Sequence, residues 1–155
     1  MQYPDETNNF FEEQATLIRD SYSKEVKKHL LQPLLSREQF AKELFYAPFA
    51  VVSHNTDPDP IFNYANLTAL QLFEFSWDEF TQLPSRLSAE PVSQEERNKL
   101  LAEVTRHGYI SHYQGVRIAK SGQRFMICAA TVWNLSDQLG HPKGQAACFN
   151  QWQYL

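Results

Sequence analysis

The sequence has little of several features that would mark a specialised class of protein. Its 155 residues include two cysteines and five glycines, and 14 Lys+Arg stand against 18 Asp+Glu, for a formal net charge of -4. No run of about 18 apolar residues occurs, so no membrane span is predicted. The start of the chain is polar and acidic, unlike the basic and then apolar start of a signal peptide. We therefore expect a cytoplasmic protein that does not bind a membrane.

The charge balance also argues against nucleic acid as a direct partner, because binding to phosphate backbones needs an excess of Lys and Arg. The sequence is instead rich in apolar and aromatic residues: 43% are hydrophobic, with 11 Phe, 7 Tyr and 3 Trp. A chain of this length and composition can bury a core without metals or disulfides. We predict a single globular unit.

The two cysteines, Cys128 and Cys148, fit no zinc-binding or thioredoxin-like spacing. Both fall on predicted strands, and a hairpin that turns between Ser136 and His141 places them opposite each other. A cytoplasmic location keeps thiols reduced. The sequence therefore leaves open whether the two form a disulfide.

Hydrophobic periodicity predicts a long helix near the start of the chain. Apolar residues recur every three or four positions over residues 11–30, which places them on one face of a helix. Asn9 is the expected cap and Pro33 the expected end. With a second helix before Pro48, residues 1–47 form a predicted N-terminal helical extension. The apolar face of the first helix must cover either the rest of this chain or another chain.

Capping residues mark four further helix starts. A Ser or Asn side chain accepts hydrogen bonds from the first free N–H groups of a helix, and Glu or Gln three residues later completes a capping box. The expected starts are Ser36 with Gln39, Asn66, Ser76 with Glu79, and Ser93 with Glu96. Gly108 is expected to end the last of these helices in a left-handed conformation.

The remaining segments predict five strands. Alternating or β-branched apolar residues bounded by turn residues occur at 49–53, 61–64, 110–120, 123–133 and 144–152. Short connections make the last three antiparallel neighbours. The strand at 123–133 is apolar on both faces, which is typical of an interior strand. We expect one face to carry Phe125, Ile127, Ala129 and Trp133, and the other Met126, Cys128, Ala130 and Val132.

The order of these elements, after the N-terminal helices, is strand, strand, short helices, one longer helix and three strands. This order and the string NLTALQLFEFSWDEF at 66–80 resemble a PAS domain. Glu74 stands where the PAS pattern has Gly, and a positive φ there would strain a Glu. The resemblance implies an α+β fold, with residues 48–155 forming a PAS-like five-stranded antiparallel sheet and helices on one face.

Several further strings are similar to the MEKHLA family, whose PAS-like domain occurs in plant homeodomain leucine-zipper regulators and in short free-standing proteins. They are SHNTDPDPIFNYAN at 53–66, LPSRLSAEP at 83–91, YQGVR at 113–117, SGQRF at 121–125, VWN at 132–134 and GQAA at 144–147. The similarity spans about residues 18–152. The chain resembles the free-standing form, so a transcription-factor function is not implied.

The PAS resemblance implies a pocket between one face of the sheet and the helices over it. Mostly apolar walls with a few placed polar groups would suit a small planar ligand. The candidate residues are the aromatic walls Tyr113 and Trp133 and the polar side chains His54, Asn63, Asn66 and Arg117. The cofactor stays unknown. The cysteine-containing string of the flavin photoreceptor branch is absent, so covalent flavin photochemistry is not expected.

Four arginines lie in or beside the family strings: Arg86, Arg97, Arg117 and Arg124. The planar guanidinium group pairs well with carboxylates, and the chain has acidic residues enough to supply them. We expect these arginines to form internal ion pairs. An anionic ligand is the alternative.

The sequence contains no recognisable catalytic or metal-binding pattern. A nucleophile elbow, a phosphate loop, a His-Glu-x-x-His motif and a dinucleotide fingerprint are all absent. Asp57 and Asp59 alternate with prolines, which favours a turn over a calcium loop. We therefore assign no catalytic or metal-ligating residues and predict that the protein is not an enzyme.

Three functions remain as hypotheses. The first is a sensory or regulatory module that binds a small molecule and signals through a protein partner or through a homodimer formed by the N-terminal helices. The second is a pure protein-interaction module with a filled core. The third is a cone-shaped isomerase or dehydratase, an architecture that also begins with helices and ends in a curved sheet.

Overall fold

The computed structural model describes residues 3–155, so Met1 and Gln2 of the predicted helical extension lie outside the described residues. The helices are α1 (Glu12–Val26), α2 (Arg37–Phe45), α3 (Leu67–Phe73), α4 (Trp77–Phe80) and α5 (Pro91–His107). The strands are β1 (Ala50–His54), β2 (Phe62–Ala65), β3 (Tyr109–Ile118), β4 (Arg124–Ser136), β5 (Pro142–Phe149) and β6 (Gln151–Tyr154).

The strands form one antiparallel sheet in the order β2-β1-β5-β4-β3, with β6 also paired to β4. This is the predicted antiparallel arrangement with one strand more than expected. The predicted last strand is interrupted at Asn150, and the chain beyond it pairs with the first part of β4, where Phe125 lies opposite Tyr154. β5 and β6 therefore share β4 as their neighbour.

Helices cover both faces of the sheet. Val132 packs against Leu100 and Val104 of α5, whereas the ring of the next residue, Trp133, lies 4.9 Å from the ring of Tyr22 in α1. Because neighbouring residues of a strand point to opposite faces, α5 and α1 lie on opposite sides of β4. We call the side that faces α5 the inner face. The apolar face of α1 thus covers the sheet of its own chain.

Three of the predicted capping signals are confirmed. Ser36 and Ser76 form complete capping boxes, and the Asn66 side chain accepts a hydrogen bond from the start of α3. Gly108 ends α5, as predicted, but its φ of 94° and ψ of -43° differ from the left-handed helical conformation that was expected. These signals depend only on a few adjacent residues, so the local sequence is sufficient to locate them.

The predicted starts at Asn9 and Ser93 are wrong. Phe11, in a left-handed conformation, precedes α1, and its side chain makes no capping hydrogen bond. α5 begins at Pro91, because proline is favoured in the first turn of a helix, where its missing N–H is not needed. α1 is also shorter than predicted, since Lys27 takes a left-handed φ of 65° and ends it.

Glu74 adopts the positive φ that the comparison with the PAS pattern anticipates, with a value of 65°. Its carboxylate accepts a hydrogen bond of 3.0 Å from the backbone N–H of Ser121. The side chain therefore links the end of α3 to the turn between β3 and β4. This bond offsets part of the strain that a non-glycine residue carries in a left-handed conformation.

A bulge in β4 reverses the faces predicted for its second half. From Ile127 to Ala130, β4 advances three residues while β3 advances two. Ala129 takes a left-handed φ of 52° at this point. Ile127 and Ala130 consequently both face inward, and Trp133, which was predicted to share a face with Ile127, faces α1 instead.

The two cysteines are free, and the prediction that they face each other is wrong. Cys148 lies opposite Thr131, and Cys128 lies opposite Gln151. On β4, Cys128 and Thr131, the residue opposite Cys148, are about 10 Å apart at the usual rise of a strand. This separation is beyond the reach of a disulfide between the two cysteines. Burial raises the pKa of the Cys148 thiol to about 12, which keeps it protonated.

Candidate functional site

A cavity of about 70 Å³ lies between the inner face of the sheet and the helices α3 and α5. Its apolar walls include Val52, Phe62, Phe73, Leu100, Ile127 and Val132. The volume accepts a few water-sized groups. It is well below the roughly 300–1,000 Å³ that is typical of sites for drug-sized ligands. The cavity therefore fits a ligand of only a few heavy atoms.

Three of the six candidate residues line this cavity: His54, Tyr113 and Arg117. His54 is the last residue of β1, and the other two lie four residues apart on β3, on the face that alternation turns inward. The structure thus brings together one imidazole, one phenol and one guanidinium group. Their contact with a ligand stays a prediction.

The other three candidates, Asn63, Asn66 and Trp133, do not line the cavity, which corrects that part of the predicted pocket. Trp133 faces α1 because of the bulge in β4. Asn63 accepts hydrogen bonds from Ser53, at 2.6 Å, and from Gln14 of α1, at 3.4 Å. Asn63 therefore also belongs to the contact between the sheet and α1.

Asn66 is fully buried and joins three elements through backbone hydrogen bonds. Its side-chain oxygen accepts from the N–H groups of Val51 and Ala69, and its NH₂ group donates to the carbonyls of Leu44 and Phe49. Every hydrogen bond that this amide makes is thus directed at the backbone. Asn66 has a structural role at the junction of α2, β1 and α3.

The predicted pocket omitted Arg97 of α5, which also lines the cavity. Only 5% of its surface is exposed, because it lies three residues before Leu100 and seven before Val104 on the buried face of the helix. That spacing is visible in the sequence, where a charged residue occurs on an apolar helical stripe. Ser85, Ser88 and Gln145 also line the cavity.

The expected internal ion pairs are confirmed for two of the four arginines. Arg86 pairs with Asp59 at 3.1 Å, and Arg124 pairs with Glu90 at 3.6 Å. Both pairs are substantially exposed to solvent. At the surface such pairs contribute little stability.

The prediction of internal pairing is wrong for Arg97 and Arg117. Across residues 3–155, neither guanidinium group has a carboxylate oxygen within 4 Å. Arg97 donates to the side-chain oxygens of Ser85 and Asn98. Arg117 donates to the carbonyl of Val116 at 2.9 Å and to the hydroxyl of Tyr113 at 3.3 Å. All four acceptors are neutral.

The two guanidinium groups are close enough to affect each other electrostatically. The pKa of Arg97 is lowered to about 10, first by burial and then by the positive charge of Arg117. Asp59 acts in the opposite direction with a smaller effect, and it is already paired with Arg86. The cavity wall thus carries two like charges that have no direct counter-charge, an arrangement that is costly in a protein interior.

His54 contributes an unpaired ring nitrogen. Its Nδ1 lies 3.0 Å from the carbonyl oxygen of Asn55, and because a carbonyl can only accept, Nδ1 carries the proton. The other nitrogen, Nε2, is buried and has no hydrogen-bond partner within the part of the chain that the structure describes. Burial lowers the pKa of His54, and the charge of Arg97 acts in the same direction. The neutral imidazole is therefore favoured.

The lowered pKa of His54 predicts a pH dependence of stability. Unfolded histidine has a pKa of about 6.5, so below that pH the unfolded chain binds a proton that the folded protein resists. The free energy of unfolding should fall as the pH decreases through this range, by at most about 1.4 kcal/mol for each unit by which the folded pKa is lowered. Urea denaturation at pH 7.5 and pH 5.5 measures this difference.

A matched pair of variants assigns this effect to one residue. His54→Gln should reduce the difference between the two pH values, whereas replacement of the exposed His107 by Gln should leave it in place. An equal pH dependence in the wild type and His54→Gln would show that the effect comes from other groups.

Residues 3–155 contain neither a metal-binding cluster nor a membrane-spanning helix. No three His, Cys, Asp or Glu side chains in this range come together as metal ligands would. No helix in the same range combines the length and the apolar character needed to cross a bilayer.

Similarity to solved structures shows that the fold of the chain is a PAS-like α+β fold. A PAS domain from Colwellia psychrerythraea has a TM-score of 0.64 at 16% identity, covering 76% of this chain and 95% of that one. An RNA-binding light-oxygen-voltage receptor has a TM-score of 0.62 at 14% identity, covering 77% of this chain and 33% of that one. A light-oxygen-voltage domain from a study with a flavin analogue has a TM-score of 0.59 at 17% identity, covering 74% of this chain and 83% of that one.

The family follows from the sequence. The model of the MEKHLA domain matches residues 12–154, nearly the whole chain, so the protein belongs to the MEKHLA family. No curated protein matches the chain. The predicted α+β, PAS-like fold is confirmed, and it is not the cone-shaped fold of the third hypothesis.

Proposed function

We propose that the protein is a non-catalytic sensory domain that holds a small molecule in the cavity between the sheet and α5. The observation that carries this proposal is the pair of buried guanidinium groups, Arg97 and Arg117, without a counter-charge. A core that only has to be filled would not need them, because buried charges are costly unless they are paired. A bound molecule would supply the missing partner.

In this proposal, residues 1–47 are a helical extension that carries the signal, and residues 48–155 are the PAS-like domain. α1 lies on the opposite side of β4 from the cavity, so a shift of the sheet on binding would reach it directly. The receiver is a protein partner or a second copy of the chain, in the cytoplasm. Exposed apolar residues near the N-terminal helices, Leu34 and Tyr46, support this choice of surface.

A second candidate function is a protein-interaction module without a ligand. The small volume of the cavity, about 70 Å³, favours it, because aromatic side chains already fill most of the interior. In that case, Arg97 and Arg117 would be structural residues. The two candidates differ in whether the protein carries a small molecule.

Native mass spectrometry of the protein purified from cells, compared with its mass after denaturation, tests the proposal. The expected result is an added mass that is lost on denaturation, since a non-covalent ligand leaves when the cavity opens. A spectrum of the ligand-free mass alone would contradict the sensory proposal and support the interaction module. The same spectrum separates monomer from dimer.

A further inference from the structure

We infer that the ligand of this cavity is a small organic carboxylate held between the guanidinium groups of Arg97 and Arg117. The inference rests on the proposed function, because it requires that the cavity binds a ligand. It adds the chemical class of the ligand and the two residues that select it.

The two arginines enter the cavity from different elements. Arg97 comes from α5, which covers the sheet, and Arg117 comes from β3 in the sheet itself. Only 5% and 8% of their surfaces are exposed. An anion between them would contact both layers of the fold at once.

Both side chains keep hydrogen-bonding capacity for a ligand. A guanidinium group has five N–H donors arranged in a planar fork. Each of the two makes two hydrogen bonds in the structure, and all of these go to neutral oxygen atoms. A carboxylate accepts two parallel N–H bonds from such a fork, so it matches the donors that remain.

The acidic residues around the cavity are already engaged elsewhere. Asp59 pairs with Arg86, and Glu90 pairs with Arg124. Glu96 accepts a hydrogen bond of 3.1 Å from the hydroxyl of Tyr113 and so reaches Arg117 only through that hydroxyl. The counter-charge that the two buried guanidinium groups need is therefore one that a ligand can bring.

The walls favour an organic anion over an inorganic one. Among the other polar residues, Ser88 donates to Ser85 and Gln145 donates to Leu101. The unpaired Nε2 of His54 can only accept a hydrogen bond, so it offers no donor to an anion. Inorganic phosphate needs donors around all its oxygens, whereas a carboxylate places its polar end on the arginines and its hydrocarbon against apolar walls. A volume of about 70 Å³ limits that hydrocarbon to a short chain.

Binding of propionate and butyrate, measured by calorimetry and by thermal unfolding, tests this inference. Both carboxylates should bind and raise the melting temperature, because a ligand that binds only the folded state stabilises it. Their neutral counterparts, propionamide and butyramide, should do neither. Inorganic phosphate should also neither bind nor raise the melting temperature, because the apolar walls provide no hydrogen-bond donors for two of its oxygens.

Arg97→Met and Arg117→Met keep the unbranched, apolar stem of the side chain and remove its charged end. Each should weaken propionate binding by at least about tenfold, because charge-assisted bonds to the carboxylate are lost. The ligand-free variants should melt at the same temperature as the wild type or higher, because a buried charge without a partner is removed. Arg86→Met, at an exposed surface pair, is the matched control and should bind propionate like the wild type.

The outcomes separate the inference from the proposed function. If native mass spectrometry finds a neutral ligand and the carboxylates do not bind, the inference is overturned while the sensory proposal stands. Equal binding of phosphate and propionate also overturns it, in favour of an inorganic anion. If neither a co-purified molecule nor any anion binds, and both methionine variants lower the melting temperature, the arginines are structural and both proposals fail.

Discussion

Replacement of Asn66 by alanine is expected to lower the free energy of unfolding by about 4 kcal/mol or more. A loss of this size is among the largest for the replacement of a single polar side chain. The substitution removes the hydrogen-bond partner of the N–H groups of Val51 and Ala69 and of the Phe49 carbonyl, whereas the Leu44 carbonyl still accepts from the N–H of Ala47 at 3.3 Å. Each such group costs about 1–3 kcal/mol when it is left unsatisfied. Urea denaturation monitored by circular dichroism measures the loss.

Two further variants show whether the loss has this cause. Asn66→Asp keeps the accepting oxygen but brings a second oxygen, which cannot donate, against the two carbonyls, so it should be nearly as destabilising. Asn63→Ala removes an amide that is only partly buried and should cost about 1 kcal/mol. A loss below that of Asn63→Ala would contradict the structural role assigned to Asn66.

Gly144→Ala is expected to disrupt the pairing of β1 with β5 and to lower the free energy of unfolding by about 3–5 kcal/mol. Gly144 has a φ of 123°, which L-residues rarely adopt, and a Cβ atom there would collide with the backbone carbonyl oxygen of His54. The carbonyl cannot move without breaking the register in which His54 lies opposite Gln145. Urea denaturation of the variant measures the effect.

Gly140→Ala is the matched control for this prediction. Gly140 also has a positive φ, of 83°, but a Cβ there meets no atom within 4 Å. This variant should therefore lose only the conformational cost of a left-handed residue, about 1–2 kcal/mol. If both variants lost the same amount, the close approach of Gly144 to β1 would not be the reason for its glycine.

The parts of the fold that the sequence predicts are those with local causes. The helix starts at Ser36, Asn66 and Ser76 need only a side chain and the N–H group three residues ahead, so the sequence contains the whole signal. The predicted helix start at Ser93 is wrong because α5 begins earlier, at Pro91. The start at Pro91 also depends only on the local sequence. The short connections predict that the last three strands are antiparallel neighbours, as β3, β4 and β5 are.

The faces of β4 could not be predicted, because the bulge at Ala129 has no mark in the sequence. Neither Gly nor Asn occurs there, and two adjacent alanines give no reason to expect a left-handed residue. One inserted residue moves every following side chain to the other face. Trp133 was therefore assigned to the pocket, although it belongs to the contact with α1.

The sequence likewise predicts some features of the candidate site and not others. Tyr113 and Arg117 alternate with Gly115 on one face of β3, and Arg97 lies on the apolar stripe of α5, so their inward position has a signal in the sequence. The lack of acidic partners for Arg97 and Arg117 has no signal in the sequence. Ion pairing depends on which surfaces meet, and only the packed structure shows that the nearby acids are used by Arg86 and Arg124.

The contact of α1 with β4 also determines how the chain must assemble during synthesis. Ser21 of α1 and Ser136 of β4 exchange hydrogen bonds of 3.3 and 3.1 Å across 115 residues of sequence. At the usual rate of translation, α1 emerges roughly 6–23 s before the strand that covers it. Its apolar face is then open to chaperones or to neighbouring chains. Docking of this helix is a late event in folding, and a slow translation step before β4 would prolong the period in which the nascent chain can misassociate.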